Sequence, residues 1–457
     1  MSERSFDVIV IGAGPGGEVC AGRLAHGGLS VALVEQELVG GECAFYACMP
    51  AKALLRPAEA LAEVRRIPGA AEAVSDLDVS ATLSRRDEVI HDLDDSGQMP
   101  WLEKHGIELV REHGRLDGER RVRAGEHVLL ADRAVVVATG SGALIPPIDG
   151  LSEARPWTNR EVTTAKAAPA RLAILGGGVV GVEMAQAWQA LGAQVTLIEA
   201  MDRLIVPEEP FAGEEVDRSL RERGVDVRLG AKATAVSRSP VGEVTVELEE
   251  APRVIADELT VAIGRRPRTD DLGVESVGLE PGEPIEVDDR LRATAVHGEW
   301  LYAVGDVNGR TLLTHMGKYQ ARAAADVILG RDSRATHDGP VSPRVIFTDP
   351  QVAAVGHTLQ SAQEAGLNAR AVDRKTSRNA GGSFYGRDAP GTTRLVIDED
   401  RRVLAGATIT GSEVSDFLHA ATIAVVGEVG LDRLWHAVPS FPTRSEVWLD
   451  LLEEYGL

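Results

Sequence analysis

Two cysteines, Cys43 and Cys48, stand five residues apart in Gly-Gly-Glu-Cys-Ala-Phe-Tyr-Ala-Cys-Met-Pro-Ala-Lys. Such a pair is either two ordinary buried thiols or a reversible disulfide. On one ideal helix, residues i and i+5 have Cα atoms roughly 8–9 Å apart, beyond the limit of about 7 Å for a disulfide. A bridge therefore requires a distorted backbone and would be easily reduced. An easily reduced disulfide inside a cell is more often catalytic than structural. The third cysteine, Cys20, completes the count. Three thiols exclude a disulfide-stapled secreted scaffold and are too few for an iron–sulfur cluster or a four-thiolate zinc site, so no metal site is expected.

The elements that must position this pair belong to an internal repeat. Residues 7–35, from Asp-Val-Ile-Val-Ile-Gly-Ala-Gly-Pro-Gly-Gly to Val-Ala-Leu-Val-Glu, lie over residues 171–199 at one constant offset. Gly12, Gly14, Gly17, Ala21, Gly28 and Glu35 fall on Gly176, Gly178, Gly181, Ala185, Gly192 and Glu199. Each copy reads as an apolar strand, a Gly-rich turn, a helix with a small-residue face and a second strand ending in an acid. The first Gly permits the tight turn, the second lets backbone approach a pyrophosphate, and the third lets helix and strand pack closely. Helix N–H groups hold the phosphates, and the acid accepts from an adenosine ribose. Two such copies in register predict two dinucleotide sites. Glu199 would repel a 2′-phosphate, which favours NADH over NADPH.

Composition narrows the setting. The 457 residues suggest two to four domains, and 44% are hydrophobic. The formal charge of −22 argues against nucleic acid as a partner, since phosphate recognition needs a basic face. No run of eighteen residues is free of charge, so no membrane span is expected. The opening Met-Ser-Glu-Arg-Ser-Phe-Asp meets a strand-like run without a long apolar segment, and a cytoplasmic location is expected.

Strand, turn and helix alternate to about residue 335, with buried strands at 134–141, 258–264 and 300–304. The polar stretch 331–343, with two prolines, reads as a linker. Beyond it, strands at 344–347, 393–397 and 405–409 and helices near 413–428 and 445–454 suggest an antiparallel α+β domain. The expected fold is α/β: two Rossmann-like dinucleotide-binding domains, 1–150 and 151–265, a central part, 266–337, and a C-terminal α+β domain, 344–457.

These motifs, taken in order, resemble the flavoprotein disulfide reductases, the pyridine nucleotide-disulfide oxidoreductase family, over essentially the full chain. The cysteine segment is similar to the family's G-G-x-C-x-x-x-x-C-x-P-x-K. Ala-Thr139-Gly140-Ser141, Ala-Ile-Gly264-Arg-Arg-Pro, Tyr302-Ala-Val-Gly305-Asp306-Val and Phe347-Thr-Asp-Pro-Gln-Val-Ala-Ala-Val-Gly356 match as well. The resemblance implies a homodimer with a shared active site, acting on a small-molecule substrate with FAD and NAD(H), NADP being the lesser expectation; 1–150 would be the FAD-binding domain, 151–265 the NAD-binding domain, 266–337 the central part completing the FAD site, and 344–457 the C-terminal α+β dimerisation domain. It implies that FAD is held by Gly12, Gly14, Gly17, Glu35, Thr139, Gly140 and Asp306, with Gly41, Lys52, Gly114, Ser141, Leu312 and His315 also at cofactor sites. Gly176, Gly178, Gly181, Glu199 and Gly264 would hold the nicotinamide nucleotide. Cys43 would be the exposed interchange thiol and Cys48 the charge-transfer thiolate stacked on the flavin. Lys52, one of six lysines, and Glu183 match an ion pair near the flavin N5. Cys20 falls in the first helix and is expected to pack.

The chain departs from the family at its end. Members that turn over disulfides carry H-x-H-P-T-x-x-E, in which the His before Pro is the general acid-base and the Glu orients it. Here the segment reads Ser-Phe441-Pro442-Thr443-Arg-Ser-Glu446. Phe441 cannot carry a proton, and general acid-base catalysis is worth about 10²- to 10⁴-fold. The final acceptor is therefore expected to differ from lipoamide or glutathione. The alternatives are an enzyme similar to 2-ketopropyl coenzyme M oxidoreductase/carboxylase, which also has Phe at this position but His where Glu446 stands, or a quinone or dye reductase. A flavin-bearing subunit of a larger complex is the non-enzymatic reading. Mercuric reductase uses a second cysteine pair near its C-terminus, and no Cys follows residue 48. His436 is read as a packing residue rather than a substitute base.

Overall fold

The computed structural model describes residues 2–386 and 389–457, which form two compact units. The first comprises Met1–Pro50, Asp87–Leu144 and Arg265–Gly339. Its seven-stranded sheet sets Ile107–Val110, β2 (Val31–Val34), β1 (Ser2–Ile11) and His127–Val137 side by side in parallel. Leu301–Ala303 joins the far edge of His127–Val137. Val8, Ile9, Val10, Val135, Val136 and Val137 are completely buried, as parallel strands covered on both faces must be. Helix α1 (Pro15–His26) follows β1 after the Gly-rich turn, with proline in its first turn, where the missing N–H costs nothing. It turns Gly17, Cys20, Ala21 and Leu24 inward and packs against the helix Thr314–Ile328, whose buried face carries Ala321, Ala324 and Ala325. Small side chains on both helices permit that close approach.

The second unit comprises Ala51–Arg86, Ile145–Gly264 and Pro340–Leu457. A four-stranded parallel sheet orders Asp226–Arg228, Gln194–Ile198, Arg171–Leu175 and Glu258–Val261, with the helix Val179–Ala190 opening at the second Gly-rich turn. A five-stranded antiparallel sheet orders Arg344–Ile346, Gln351–Gly356, Val403–Gly411, Thr392–Asp398 and Ala369–Lys375. The helices Val414–Val426 and Val447–Tyr455 lie against it. Their buried residues Leu418, Ala421, Leu451 and Leu452 share one apolar cluster with Leu395, Ile397 and Ile409 of the sheet.

Simple alternation to residue 335 understates the structure. An antiparallel pair, Gly114–Leu116 with Arg121–Ala124, extends the first sheet. A separate three-stranded meander, Ala233–Arg238, Val244–Leu248 and Ala251–Ala256, stands beside the second. Short hairpins need only a turn and a few alternating residues, so they leave a weak trace in a chain dominated by long apolar strands.

Candidate active site

Helix α2 (Gly41–Phe45) carries Cys43, and α3 (Cys48–Arg66) begins at Cys48. Between them Tyr46, at φ −133° and ψ 1°, leaves the helical region, so the chain breaks between the two cysteines, as a bridge would require. Both cysteines are thiols, Cys43 half-buried and Cys48 exposed. The Cys43 S–H donates to Cys48 and pulls the Cys48 thiol down to about 6, with Thr314 adding to the effect against the cost of burial. The same bond, together with burial, pushes Cys43 upward. Thr314 Oγ1 lies 3.4 Å from Cys48 Sγ and is the first residue of the helix Thr314–Ile328. The arrangement holds one thiolate and one thiol at neutral pH, a nucleophile beside its own proton donor. Cys20, in contrast, is completely buried, and burial pushes it up to about 12, the behaviour of an inert packing thiol.

The two Gly-rich turns have the same geometry. Gly12 N–H and Gly176 N–H each donate at 2.8 Å, to Val34 O and Ile198 O. Gly12 and Gly176 sit at φ +100° and +108°, a region costly for any residue with a Cβ. A Cβ on Gly17 or Gly181 would collide with the carbonyl oxygen of Gly12 or Gly176. Around Gly14 and Gly178 there is open space instead. That combination, close packing at the third Gly and a free face at the second, is what a pyrophosphate cradle requires. Glu35 accepts from Ala13 N–H through Oε2 and from Glu37 N–H through Oε1, both at 2.8 Å. Glu199 repeats the clamp on Gly177 N–H (2.6 Å) and Met201 N–H (2.7 Å). Both turns therefore fit a dinucleotide.

Other predicted cofactor residues of the first unit gather around Asp306. Ser141 Oγ donates to Asp306 Oδ2 at 2.6 Å, and Arg265 Nε donates to Ser141 Oγ at 2.6 Å. Thr139 Oγ1 donates to Arg268 O, and Arg268 N–H donates to Gly140 O. Gly41 begins α2, and a Cβ there would press on Gly14. Leu312 and His315 are exposed beside the start of the helix Thr314–Ile328. Gly114 is buried in its strand, where a Cβ would crowd Val34 and Ile11. In the second unit Gly264, at φ +153°, follows the strand Glu258–Val261.

Lys52 and Glu183 both belong to the second unit. Lys52 Nζ lies 3.7 Å from the centre of the Phe347 ring, and Phe347 N–H donates to Glu183 Oε1 at 2.8 Å. Burial pulls Lys52 below its ordinary value, while the Glu59 and Glu183 carboxylates oppose that shift. Glu59, buried and 3.9 Å from Lys52, is a partner that motif matching missed, as is Thr314 beside Cys48. Spacing could have suggested Glu59, because i and i+7 share a helix face. Phe441 is 76% exposed. Glu446 is half-buried, and its Oε2 is enclosed with no hydrogen-bond partner among the described residues. His436 is exposed, so packing does not explain it. Among the described residues no helix is long and apolar enough to cross a membrane.

Comparison with known proteins agrees with this geometry. Residues 6–325 match the model for pyridine nucleotide-disulphide oxidoreductases, and residues 342–451 match the dimerisation domain of the same family. The dihydrolipoyl dehydrogenase of Haloferax volcanii is 31% identical over 98% of this chain and 95% of its own length. A mercuric reductase of Lysinibacillus sphaericus is 27% identical over 98% of this chain and 82% of its own. Among solved structures, the Cu(II) complex of the HOCl-induced flavoprotein disulfide reductase RclA from Escherichia coli superposes with a TM-score of 0.86 at 25% identity, covering 99% of both chains. Twin dinucleotide cradles, a paired thiol and thiolate, and these full-length matches place the chain in the pyridine nucleotide-disulphide oxidoreductase family of FAD- and NAD(P)-binding enzymes.

Proposed function

We propose that the chain is the protomer of a cytoplasmic, homodimeric oxidoreductase that takes electrons from NADH and delivers them, through Cys43 and Cys48, to an acceptor other than a lipoamide- or glutathione-type disulfide. The observation that carries this reading is Phe441 at the place of the family's acid-base histidine, with Glu446 Oε2 enclosed and without a donor. When bound, the flavin supplies two-electron chemistry between the nicotinamide and the cysteine pair. Gly12, Gly14, Gly17, Glu35, Gly41, Gly114, Thr139, Gly140, Ser141, Asp306, Leu312 and His315 would hold it within residues 1–150 and 266–337. Gly176, Gly178, Gly181, Glu199 and Gly264 would hold the nicotinamide nucleotide within residues 151–265. Glu199 supports NADH, because its carboxylate would repel a 2′-phosphate.

The remaining roles belong to the chain's own groups. Cys48, thiolate at neutral pH, would face the flavin, and Lys52 and Glu183 would supply the ion pair expected near the flavin N5. Cys43 would meet the acceptor. Residues 344–457 would form the dimer interface. Ile423 and Val426, with Val438 and Phe441, are exposed apolar side chains that a second copy would cover. Phe441 and Glu446 of one copy would then serve the cysteine pair of the other. With no proton donor at position 441, a leaving thiolate departs unprotonated, a barrier that quinones, dyes and metal ions do not impose.

The test is NADH oxidation by purified enzyme with lipoamide, glutathione disulfide, quinones and dyes, in the wild type and in Phe441→His. Quinone or dye turnover with slow lipoamide reduction is expected. Phe441→His should raise lipoamide reduction at least about tenfold, a partial recovery of the 10²- to 10⁴-fold that general acid-base catalysis supplies. Robust lipoamide turnover by the wild type overturns the reading, and CO2-dependent product formation would point instead to a carboxylating enzyme.

A further inference from the structure

The second unit holds a cleft of about 900 Å³, lined by Arg66 of α3, by the helix Pro210–Glu222 with Arg223 at its end, by Asp349 and Pro350, and by described residues that include Lys375 and Arg378 at the end of the strand Ala369–Lys375 and just beyond it. Its volume lies within the usual range for small-molecule sites. It shares no residue with the second Gly-rich turn or with Glu199.

The charge of its wall is opposite to that of the chain. Five cations line it, Arg66, Arg218, Arg223, Lys375 and Arg378, against three carboxylates, in a protein of formal charge −22. The carboxylates are largely committed. Asp349 is shared by Arg66 and Arg223. Glu215 accepts from the hydroxyls of Thr392 and Thr410, with Lys375 at 4.0 Å. Glu222 alone is exposed. The excess positive charge therefore rests with Arg218 and Arg378, both exposed and neither paired with a carboxylate among the described residues. Arg66 adds an enclosed Nε with no acceptor among the described residues. A concave wall of one sign focuses its field on an oppositely charged ligand, and the guanidinium fork matches both phosphate and carboxylate.

We propose that this cleft is a binding site for a small polyanion, a compound with two or more phosphate or carboxylate groups, separate from the nucleotide cradles. The ligand bridges the unpaired guanidinium groups of Arg218 and Arg378 across the mouth, while Arg66 and Arg223, fixed by Asp349, form the floor.

The test is calorimetric titration of flavin-loaded, full-length enzyme at low ionic strength, with NAD+ saturating so that the nucleotide site is filled. Tripolyphosphate and citrate serve as probes. Saturable binding of at least one of them, one per chain, is expected, and whichever binds identifies phosphate or carboxylate as the favoured group. Binding should weaken at least tenfold in Arg218→Ala/Arg378→Ala, whose two sites are exposed, and should persist in Arg253→Ala, an exposed arginine outside the cleft. The Arg218→Lys/Arg378→Lys variant should keep part of the affinity, which separates charge from damage to the fold. The proposal falls if neither probe binds, or if the double alanine variant binds as the wild type does.

Discussion

The acidity of Cys48 can be tested by removing the thiol that supports it. In the reduced protein the Cys43 S–H bond is the largest influence lowering Cys48, from an ordinary value near 9 to about 6. At pH 7 about nine-tenths of Cys48 is then thiolate, and in Cys43→Ala, taking a full return to 9 as the limiting case because burial and Thr314 act against each other in what remains, about one-hundredth would be. A more basic thiolate is intrinsically more nucleophilic, by roughly 20-fold for this difference at a Brønsted slope of 0.4–0.5. The two effects oppose each other, so alkylation of Cys48 at pH 7 should slow only about four- to fivefold, while the plateau above pH 10 should rise about 20-fold. The pH–rate curves of the two proteins must therefore cross. The assay is iodoacetamide alkylation from pH 4.5 to 10.5, read site by site by mass spectrometry, with buried Cys20 as the unreactive control. A wild-type midpoint near 9, or superimposable curves, would refute the assignment of Cys43 as the donor.

Three further outcomes follow from the geometry. Gly14→Ala should fold normally but lose flavin, because its Cβ enters only the open cradle, whereas Gly17→Ala should lose about 1–3 kcal/mol of stability through overpacking against Gly12; flavin content and urea midpoints distinguish the two. Burial pushes Glu18 up to about 7, with Lys318 opposing the shift. The folded chain keeps this proton where the unfolded chain loses it, so stability falls as pH rises from about 4.5 to 7. Glu18→Gln should therefore match the wild type near pH 4 and exceed it by up to about 3 kcal/mol at pH 8, measured by denaturant unfolding. Arg86 is completely buried and donates to the carbonyls of Thr163 and Ala165. Arg86→Met should cost about 2–5 kcal/mol, seen as a lower Tm, since both acceptors would be left unsatisfied.

What could be read from the chain was mostly local. Each Gly-rich turn, its helix and its closing acid fall within about thirty residues, and backbone sterics fix what each glycine does, so the twin cradles were legible. The break between Cys43 and Cys48 was legible only on the premise of a bridge, which one continuous helix forbids; the two stand here as free thiols with the break in place. Thr314 was not legible as a neighbour of Cys48, since 266 residues separate them and only the folded chain brings the starts of their two helices together. Phe347, which links Lys52 to Glu183, is hidden similarly, 164 residues from the carboxylate it binds. The charged cleft left no trace in composition, because its cations come from three segments of an acidic chain.

Glu35 and Glu199 carry a consequence for how the nucleotides arrive. Each carboxylate is already immobile, with one oxygen on the Gly-rich turn and the other on the residue two places further along. Freezing such a side chain on binding ordinarily costs about 0.5–1.5 kcal/mol, and here that freedom is lost during folding. Every oxygen still has a second lone pair for a ribose hydroxyl, so the acid meets its ligand without first searching for a rotamer. The turn and the acid form one mechanical part. A glutamine at either position would set an N–H against an N–H, loosening the phosphate cradle and the ribose contact together.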